Sequence, residues 1–329
     1  MEQSAVIKSK VDISRNLNGY SFPHKLSSQE AEIIIQKVKN IFSDSKYDFT
    51  LHKINELSQS ELDLLEEREL MDDEFLINAN GALLFNSDKT ICILINGLDH
   101  IKIQVIGYND IKGLYKIANE IDDTLESHLE YAFDKDLGYL TTCPVNVGTG
   151  LKVTNTVHIP SIEKLKQVDD YYKIAHKIGV NFKGVYGKTK SILGSLYKIS
   201  NTIMIRRSEE NIIQSVESIS NDLSKREYES REILKNVHKI DLEDEIFRSL
   251  AILSSARVIT NSELMKCLSN VKLGIEMGYI DDVNLEKVIN FMTGKQPYLK
   301  IISAYDEEDK IERASYIRRE FSLANRNNK

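Results

Sequence analysis

Short apolar runs and alternating runs mark the predicted strands of this chain. The segments 82–85 and 90–95 flank a polar turn at 86–89 and predict a hairpin, and 101–106 is a third apolar strand. The segment 6–26 begins as an extended stretch and then becomes irregular. The hairpin indicates a mainly antiparallel sheet in the first part of the chain.

Apolar residues at helical spacing predict the remaining elements. The predicted helices cover about 29–42, 110–135, 161–178 and 209–240, with a further pair over 252–280 around a capped turn at 260–262. Residues 51–77 are charged and predict helix or loop. The fold class is therefore α+β, with an antiparallel sheet flanked by helices in residues 1–235 and a helical C-terminal domain in residues 236–329.

The stretch 137–160 combines a stiff turn with a two-faced strand. It contains glycine at positions 138, 148 and 150, and Pro144 follows Cys143. The glycines allow backbone geometries that side chains forbid, and Pro144 pushes Cys143 towards an extended conformation. Polar and mostly apolar residues then alternate from 152 to 159. We interpret the stretch as one wall of a phosphate or substrate pocket; the alternative is a buried cysteine beside a tight turn.

Composition and charge narrow the class of protein. Hydrophobic residues make up 41% and charged residues 28% of the 329 residues, which is enough for a packed core. The net charge of −7 argues against general nucleic-acid binding, and no apolar run approaches the ~20 residues of a membrane span. The N-terminus lacks the apolar core of a signal peptide, and the three cysteines form no CxxC pair. We expect a cytoplasmic protein without a zinc site or a disulfide framework.

A group of acidic residues, Glu120, Asp122 and Asp123, falls inside the predicted helix 110–135. A metal site is one interpretation of such a group. We favour a solvated helix face, because charged residues that recur along a helix are usually its exposed side.

The run LGYLTTCPVNVGTGL at 137–151 closely resembles the signature of guanido kinases, the arginine and creatine kinase family, and above all that of bacterial protein-arginine kinases. The resemblance extends over nearly the whole chain. It implies a guanido-kinase catalytic domain that uses ATP with Mg, followed by a helical domain used for dimerisation and for reading phosphoarginine. It also implies that Cys143 contacts the guanidinium substrate.

Five positions match arginines that hold ATP phosphates in that family. They are Lys10, Asp12, Lys102, Lys152 and Lys183. A lysine keeps the positive charge but loses the planar fork that grips phosphate at two points. Asp12 reverses the sign of the charge, which is unfavourable beside a triphosphate. By contrast, Arg15 and Asn16 match the family, and we interpret both as structural.

The positions that the resemblance assigns to catalytic glutamates carry no carboxylate here. The family reads NEEDH where this chain reads NGLDH, so Gly97 and Leu98 replace both glutamates, and Lys188 stands at the position of a further one. A guanidinium has a pKa above 12, so its nitrogen attacks phosphorus only when a carboxylate polarises it or removes a proton. Lys188 would instead repel the substrate. Asp99 is a candidate substitute, although its position beside the vacated ones points its side chain elsewhere.

These replacements favour a pseudokinase that keeps the fold and acts as a regulatory binding protein. The resemblance implies protein partners in a protein-arginine phosphorylation and Clp protease stress circuit, namely an active arginine kinase, its adaptor, or the protease and its stress repressor. It also implies a homodimer. The family's RDxxRA segment reads DKIERA at 309–314 here, so recognition of phosphoarginine is in question too.

Two other interpretations stay open. The chain is an active or weakly active ATP-dependent protein-arginine phosphotransferase with a rearranged site, or it is a nucleotide or anion sensor that uses its lysines without chemistry. The four lysines at the arginine positions preserve the charge that both alternatives need.

Overall fold

The computed structural model describes residues 4–43, 45–71, 80–185, 192–294 and 307–322. The strands are β1 Val6–Arg15, β2 Thr50–Lys53, β3 Ala82–Phe85, β4 Ile91–Ile95, β5 Ile101–Gly107, β6 Phe133–Asp134, β7 Gly138–Tyr139, β8 Leu151–His158, β9 Val180–Gly184 and β10 Leu196–Asn201. The helices are α1 Ser28–Ile41, α2 Gln59–Glu67, α3 Ile111–Glu126, α4 Pro160–Lys164, α5 Val168–Lys177, α6 Glu209–Val237, α7 Lys239–Ser255, α8 Asn261–Glu276, α9 Leu285–Met292 and α10 Glu307–Phe321. Within these ranges no helix has both the length and the apolar character needed to cross a membrane.

A single antiparallel sheet organises the first part of the molecule. Its strands lie in the order β2-β3-β4-β5-β1-β8-β10-β9, and each neighbouring pair is antiparallel. Strand β1 lies near the centre and pairs with β5 on one side and with β8 on the other. All ten residues of β1 are buried. The predicted α+β class with an antiparallel sheet flanked by helices is confirmed.

The two faces of the sheet differ in character because successive side chains point to opposite sides. On one face Val11 and Ile13 of β1 join Ile103 of β5 and Val153 of β8 in a buried core. Helices α3 and α6 cover this apolar face by packing on β1 and β5, and on β8 and β10, respectively. The opposite face of the same strands carries lysines, threonines and an aspartate. Further along this face, Leu83 of β3 and Leu94 of β4 belong to a third, apolar core, so the face is polar only in part.

Three predicted elements differ from the observed ones. Strand β2 lies in the segment predicted as helix or loop. It is a short edge strand without a buried side chain, so its sequence lacks the apolar alternation that predicts a strand. The predicted helix 161–178 is divided into α4 and α5, because the chain turns at Lys166 with a φ of 59°. Helix α3 ends at Glu126, and the chain then returns to β1 through a bond from the Ala132 amide to the Asn16 carbonyl.

Helices α7 to α10 enclose a second core around residues such as Leu264, Leu268 and Phe291. A buried ion pair connects this region to the sheet domain, because Arg231 on α6 lies 2.9 Å from Glu276 of α8. Arg231 also pairs with Glu227 of its own helix at 3.1 Å. The predicted domain boundary between residues 235 and 236 lies close to the end of α6 and stays a prediction.

The expectation of a solvated acidic helix face is wrong for Asp122. Asp123 is exposed, but Asp122 is buried and its carboxylate lies 2.5 Å from the guanidinium of Arg15. The Arg15 guanidinium also lies 3.6 Å from the ring centroid of Tyr139. This supports the structural interpretation of Arg15, which ties β1 to α3 and to the segment before Cys143.

We expect Asp122→Asn to lower the free energy of unfolding by about 3 kcal/mol, because it leaves the buried Arg15 guanidinium without its counter-charge. The neighbouring substitution Asp123→Asn changes the same charge on the exposed side of the helix and should alter the free energy by less than about 0.5 kcal/mol. Urea denaturation followed by circular dichroism measures both. Equal unfolding midpoints for the two variants would contradict the assigned role of the buried pair.

Candidate functional site

Cys143 begins a short 3-10 turn at Pro144–Asn146 and is half-buried, whereas Cys92 and Cys267 are buried. The backbone of Cys143 is extended, with φ −92° and ψ 117°, as its position before proline predicts. Its carbonyl accepts a hydrogen bond from Thr141 Oγ1 at 2.8 Å. The side chain is thus only partly buried, so the alternative of a buried cysteine beside a tight turn is wrong as to its burial.

Glycines hold this loop close to its neighbours, as predicted. Gly148 has a φ of 123°, and a Cβ there would lie 2.7 Å from the carbonyl oxygen of Met204. Gly150 has a φ of 64°, and a Cβ there would lie 2.5 Å from the carbonyl oxygen of Ser14. Side chains are thus excluded by backbone conformation and by space at both positions.

The turn between β4 and β5 meets the Cys143 segment through Asp99. The Oδ1 atom of Asp99 accepts hydrogen bonds from Asn16 Nδ2 at 2.7 Å and from the Thr142 amide at 2.7 Å. Gly97 and Leu98, which lie in this turn, are both half-buried. The structure therefore brings the predicted glutamate-replacement positions and the cysteine segment to one place, at the end of β1.

Asp99 and His100 act as structural anchors of that turn. Asn16 Oδ1 accepts a hydrogen bond from the His100 amide at 2.9 Å, and His100 Nδ1 accepts one from the Leu17 amide at 3.2 Å. Burial lowers the pKa of the His100 imidazole, although the Ser21 carbonyl and Asp99 act in the opposite direction. The Asp99 side chain is only 4% exposed, and its Oδ1 atom is committed to two donors. This arrangement commits one carboxylate oxygen of Asp99 to holding the turn.

The five predicted nucleotide positions lie on one face of the sheet. Residues directly opposite each other in an antiparallel pair share a face. Asp12 is opposite Lys152 of β8, and Ser14, two residues further along the same face of β1, is opposite Lys102 of β5. Lys10 lies two residues from Lys8 on β1 and therefore shares its face. Lys8 is opposite Thr156 of β8, which is opposite Lys198 of β10. Lys198 is in turn opposite Lys183 of β9, so Lys183 lies on this face as well. We call this side of β5, β1, β8, β10 and β9 the polar face.

The polar face already contains internal charge pairing. The ammonium group of Lys10 lies 3.4 Å from Asp12 Oδ1, and both side chains are buried. Gln104, opposite Asp12 on β5, is also fully buried. Three buried atoms here have no hydrogen-bond partner in the described part of the chain: Gln104 Nε2, Gln104 Oε1 and Asp12 Oδ1. A buried polar group without a hydrogen bond costs about 1–3 kcal/mol.

Glu69 is a residue beside the polar face that the sequence analysis missed. It follows α2, and its carboxylate lies 3.2 Å from Lys8 Nζ and 2.6 Å from Lys198 Nζ, while Lys10 Nζ donates to its carbonyl oxygen at 2.8 Å. Burial alone raises the pKa of the Glu69 carboxyl, but the three ammonium groups outweigh it and lower the pKa to about 2. The period-two pattern of β1 predicts Lys8 beside Lys10 on one face, whereas nothing in the charged segment 51–77 indicates Glu69.

Two further predicted positions have different outcomes. Lys188 lies outside the described residues. Arg313, in the segment that matches the family's C-terminal motif, is 1% exposed on α10 and donates from Nη1 to the Ile259 carbonyl at 2.9 Å. In the described ranges no group of three or more histidine, cysteine, aspartate or glutamate side chains is placed to hold a metal ion.

The solved structures of guanidino kinases share this fold. A crystal structure of lombricine kinase matches with a TM-score of 0.59 and 20% sequence identity over 68% of this chain and 66% of that one. The architecture is therefore that of the guanidino kinase class.

Sequence comparison is more specific. The model for the ATP:guanido phosphotransferase C-terminal catalytic domain matches residues 31–230, and that for the protein-arginine kinase McsB C-terminal domain matches residues 239–329. Protein-arginine kinases of Clostridium kluyveri and Clostridium novyi are 35% and 37% identical over 97% and 96% of this chain, and over 95% and 94% of their own lengths. The chain belongs to the protein-arginine kinase family of ATP:guanido phosphotransferases.

We expect the stabilising contribution of Glu69 to disappear in acid. Its folded pKa of about 2 lies below its ordinary value of 4.5, so the contribution is fully present above pH 4.5 and is lost as the pH falls through about 2. In this window the unfolded chain takes up the proton before the folded chain does. The contribution of Glu69 to the free energy of unfolding is at most about 3 kcal/mol.

The measurement compares urea unfolding of the wild type and of Glu69→Gln at several values between about pH 5 and pH 3. The difference in free energy of unfolding between the two proteins should shrink as the pH falls. Glu56→Gln, at an exposed site before α2, is the matched control and should keep a constant difference from the wild type. A difference that stays constant for Glu69→Gln as well would show that the lysines do not lower its pKa.

Proposed function

We propose that this chain is a pseudokinase of the protein-arginine kinase family. It keeps the fold, does not transfer phosphate to arginine, and acts as a regulatory binding protein in a protein-arginine phosphorylation and Clp protease stress circuit. One observation carries this proposal: the turn beside the Cys143 segment presents Gly97 and Leu98, and its neighbouring carboxylate on Asp99 is buried and hydrogen-bonded.

The chemical reason is the guanidinium group itself. Its nitrogen lone pair is delocalised and the group stays protonated, so attack on phosphorus requires a carboxylate that orients it and accepts a proton. Glycine and leucine side chains have no atom that does either. Loss of a general base alone typically lowers a rate by about 10²–10⁴-fold, and loss of orientation lowers it further.

The polar face also fits a triphosphate poorly as it is arranged. Asp12 and Glu69 place two carboxylates among the lysines, where phosphate oxygens would need donors and positive charge. Lys152, opposite Asp12, is exposed and offers a point charge rather than a guanidinium fork. This supports weak or lost binding of ATP with Mg, and no catalytic step is assigned to the nucleotide here.

An active or weakly active phosphotransferase is the second candidate. Its support is the half-buried Cys143 and the lysines at positions 102, 152 and 183 on the polar face. Lysine binds phosphate as a point donor, so the charge needed for a nucleotide or anion sensor is present as well. A direct assay separates these cases.

We expect no phosphoarginine when the purified chain is incubated with Mg-ATP and an arginine-rich acceptor protein. Acid-labile phosphate measured by mass spectrometry should be at least about 10³-fold below that formed by an active family member, because base and orienting contacts are both missing. Cys143→Ala should show the same background. Phosphoarginine that forms with the wild type and disappears in Cys143→Ala would refute the pseudokinase proposal and establish the second candidate.

A binding role requires a surface for a partner, and the junction of α6 and α7 supplies one. Apolar side chains there are exposed to solvent: Ile233, Val237, Ile240 and Phe247. Val237 and Ile240 are 67% and 74% exposed, which is unusual for adjacent large aliphatic residues in a single molecule. We propose that a second copy of this chain covers this surface, so that the protein is a homodimer.

The charge-introducing substitution Ile240→Asp should convert the dimer to a monomer, because an aspartate buried at an apolar interface is costly to desolvate. Light scattering coupled to size-exclusion chromatography gives the mass. Ile174→Asp, at a 48% exposed position on α5, is the control and should leave the mass unchanged. A monomeric wild type, or a dimer that survives Ile240→Asp, would exclude this surface as the dimer contact.

A further inference from the structure

We propose that the carboxylate of Glu69 occupies the basic end of the polar face as an internal counter-ion, and that a polyphosphate binds there only when this carboxylate is displaced or removed. The inference rests on the proposed function and adds a second physical reason why the face does not work as a nucleotide site. It concerns the charge of the cleft, whereas the pseudokinase proposal concerns its missing proton acceptors.

The first step is the number and origin of the contacts. Lys8 and Lys198 come from different strands, and their ammonium groups meet on the two oxygens of one carboxylate, at 3.2 Å and 2.6 Å. Lys10 and Lys8 also donate to backbone carbonyls of the same segment, those of Glu69 at 2.8 Å and Arg68 at 3.1 Å. Three lysine side chains therefore hold one short segment of chain against the polar face.

The second step is the conformation of Glu69. The Glu69 amide donates to the Glu66 carbonyl and the Leu70 amide to the Leu65 carbonyl, both at 2.9 Å, which is the hydrogen-bond pattern of a Schellman C-cap. Glu69 occupies the left-handed position of this cap, with a φ of 60°. Glycine is the usual residue at such a position, because a side chain there is unfavourable. A glutamate in a glycine position, with its carboxylate on two lysines, indicates that the ionic contacts compensate the strain.

Residues of the C-terminal region contact the end of α2 on the side away from the polar face. The carbonyl oxygen of Glu67 lies so close to Gly294 that a Cβ on that glycine would be 2.4 Å away. The buried guanidinium of Arg313 on α10 interacts electrostatically with Glu67. The segment is thus packed between the polar face and the C-terminal helices, so its carboxylate stays in place without a flexible tether.

The Glu69 carboxylate competes with an incoming polyphosphate for the same ammonium groups. The two oxygens of the Glu69 carboxylate bind ammonium groups as two oxygens of a phosphate would. Because the carboxylate belongs to the same chain, it does not have to bind from solution. An incoming polyphosphate must displace it and leave it without its charge partners, which is costly for a group that is mostly buried. Without the carboxylate, the buried Lys8 and Lys10 and the half-buried Lys198 remain close together, and their mutual repulsion favours an anion.

The experiment is titration calorimetry with sodium tripolyphosphate and, separately, with Mg-ATP. Glu69→Gln and Glu69→Gly should bind tripolyphosphate at least about 10-fold more tightly than the wild type, and the gain should fall steeply with added salt. Glu69→Gly also relieves the left-handed backbone, so it serves if the glutamine variant folds poorly. Glu56→Gln removes a charge at an exposed site and should leave the affinity unchanged.

Two further measurements identify the site. Adding Lys198→Gln to Glu69→Gln should abolish the gain in tripolyphosphate affinity. In the wild type, saturating tripolyphosphate should accelerate hydrogen exchange at the Glu69 and Leu70 amides, because displacement breaks the C-cap bonds. The proposal is overturned if both Glu69 variants bind like the wild type, if Lys198→Gln leaves the gain intact, or if tripolyphosphate binds the wild type without changing this exchange.

These outcomes are separate from the test of the pseudokinase proposal. Tighter tripolyphosphate binding by Glu69→Gln, with no phosphoarginine formed by either protein, supports both ideas. Equal tripolyphosphate binding without phosphoarginine refutes only the role of Glu69. Phosphoarginine formed by the wild type refutes the pseudokinase proposal, and the affinities of the variants still decide whether Glu69 opposes anion binding.

Discussion

A buried strand with charged side chains on one side is the constraint on which this structure depends. Every residue of β1 is buried, yet Lys8, Lys10 and Asp12 all project from its polar side. A buried charge is tolerated only when it is paired and hydrogen-bonded. The fold pairs Lys10 with Asp12 within the strand, and Lys8 and Lys198 with Glu69 across the sheet. These two carboxylates thus pair with three lysines of the polar face.

The end of β1 follows the same rule with different groups. Arg15 passes to the other side of the sheet and pairs with Asp122 of α3, while Asn16 connects Asp99 and His100 to the strand. These contacts explain why the turn after β4 and the segment before Cys143 meet although the chain separates them. They also give the retained Asp99 a structural role, because its Oδ1 atom is part of the scaffold that holds the turn.

Local rules predicted what depends on neighbouring residues, and they failed where distant residues decide. Alternation along β1 and β8 and the glycines around Cys143 follow from backbone sterics, so the sheet faces and the positive φ angles at Gly148 and Gly150 were accessible from the sequence. Helical spacing places Asp122 closer than Asp123 to the apolar stripe of α3, but the buried arginine that pairs with Asp122 lies 107 positions away in the sequence. Glu69 was hidden for the same reason. It occupies a position where glycine is usual, and its lysine partners come from strands that are far away in sequence.

Changes of charge at a site have to be judged together. Considered alone, a lysine at an arginine position suggests a weakened nucleotide site, and an aspartate at another suggests repulsion. In the folded chain the aspartate faces a lysine of its own strand, and further lysines are matched by a glutamate from another segment. The pairing with Glu69 and Asp12 concerns one end of the face, whereas Lys152 and Lys183 are exposed on the same face. Restoring a carboxylate at position 97 or 98 would supply a proton acceptor, but phosphates at the Glu69 end would still meet ammonium groups that are engaged. The proposed lack of catalysis and the proposed lack of anion affinity at that end are thus two distinct physical conditions in this cleft.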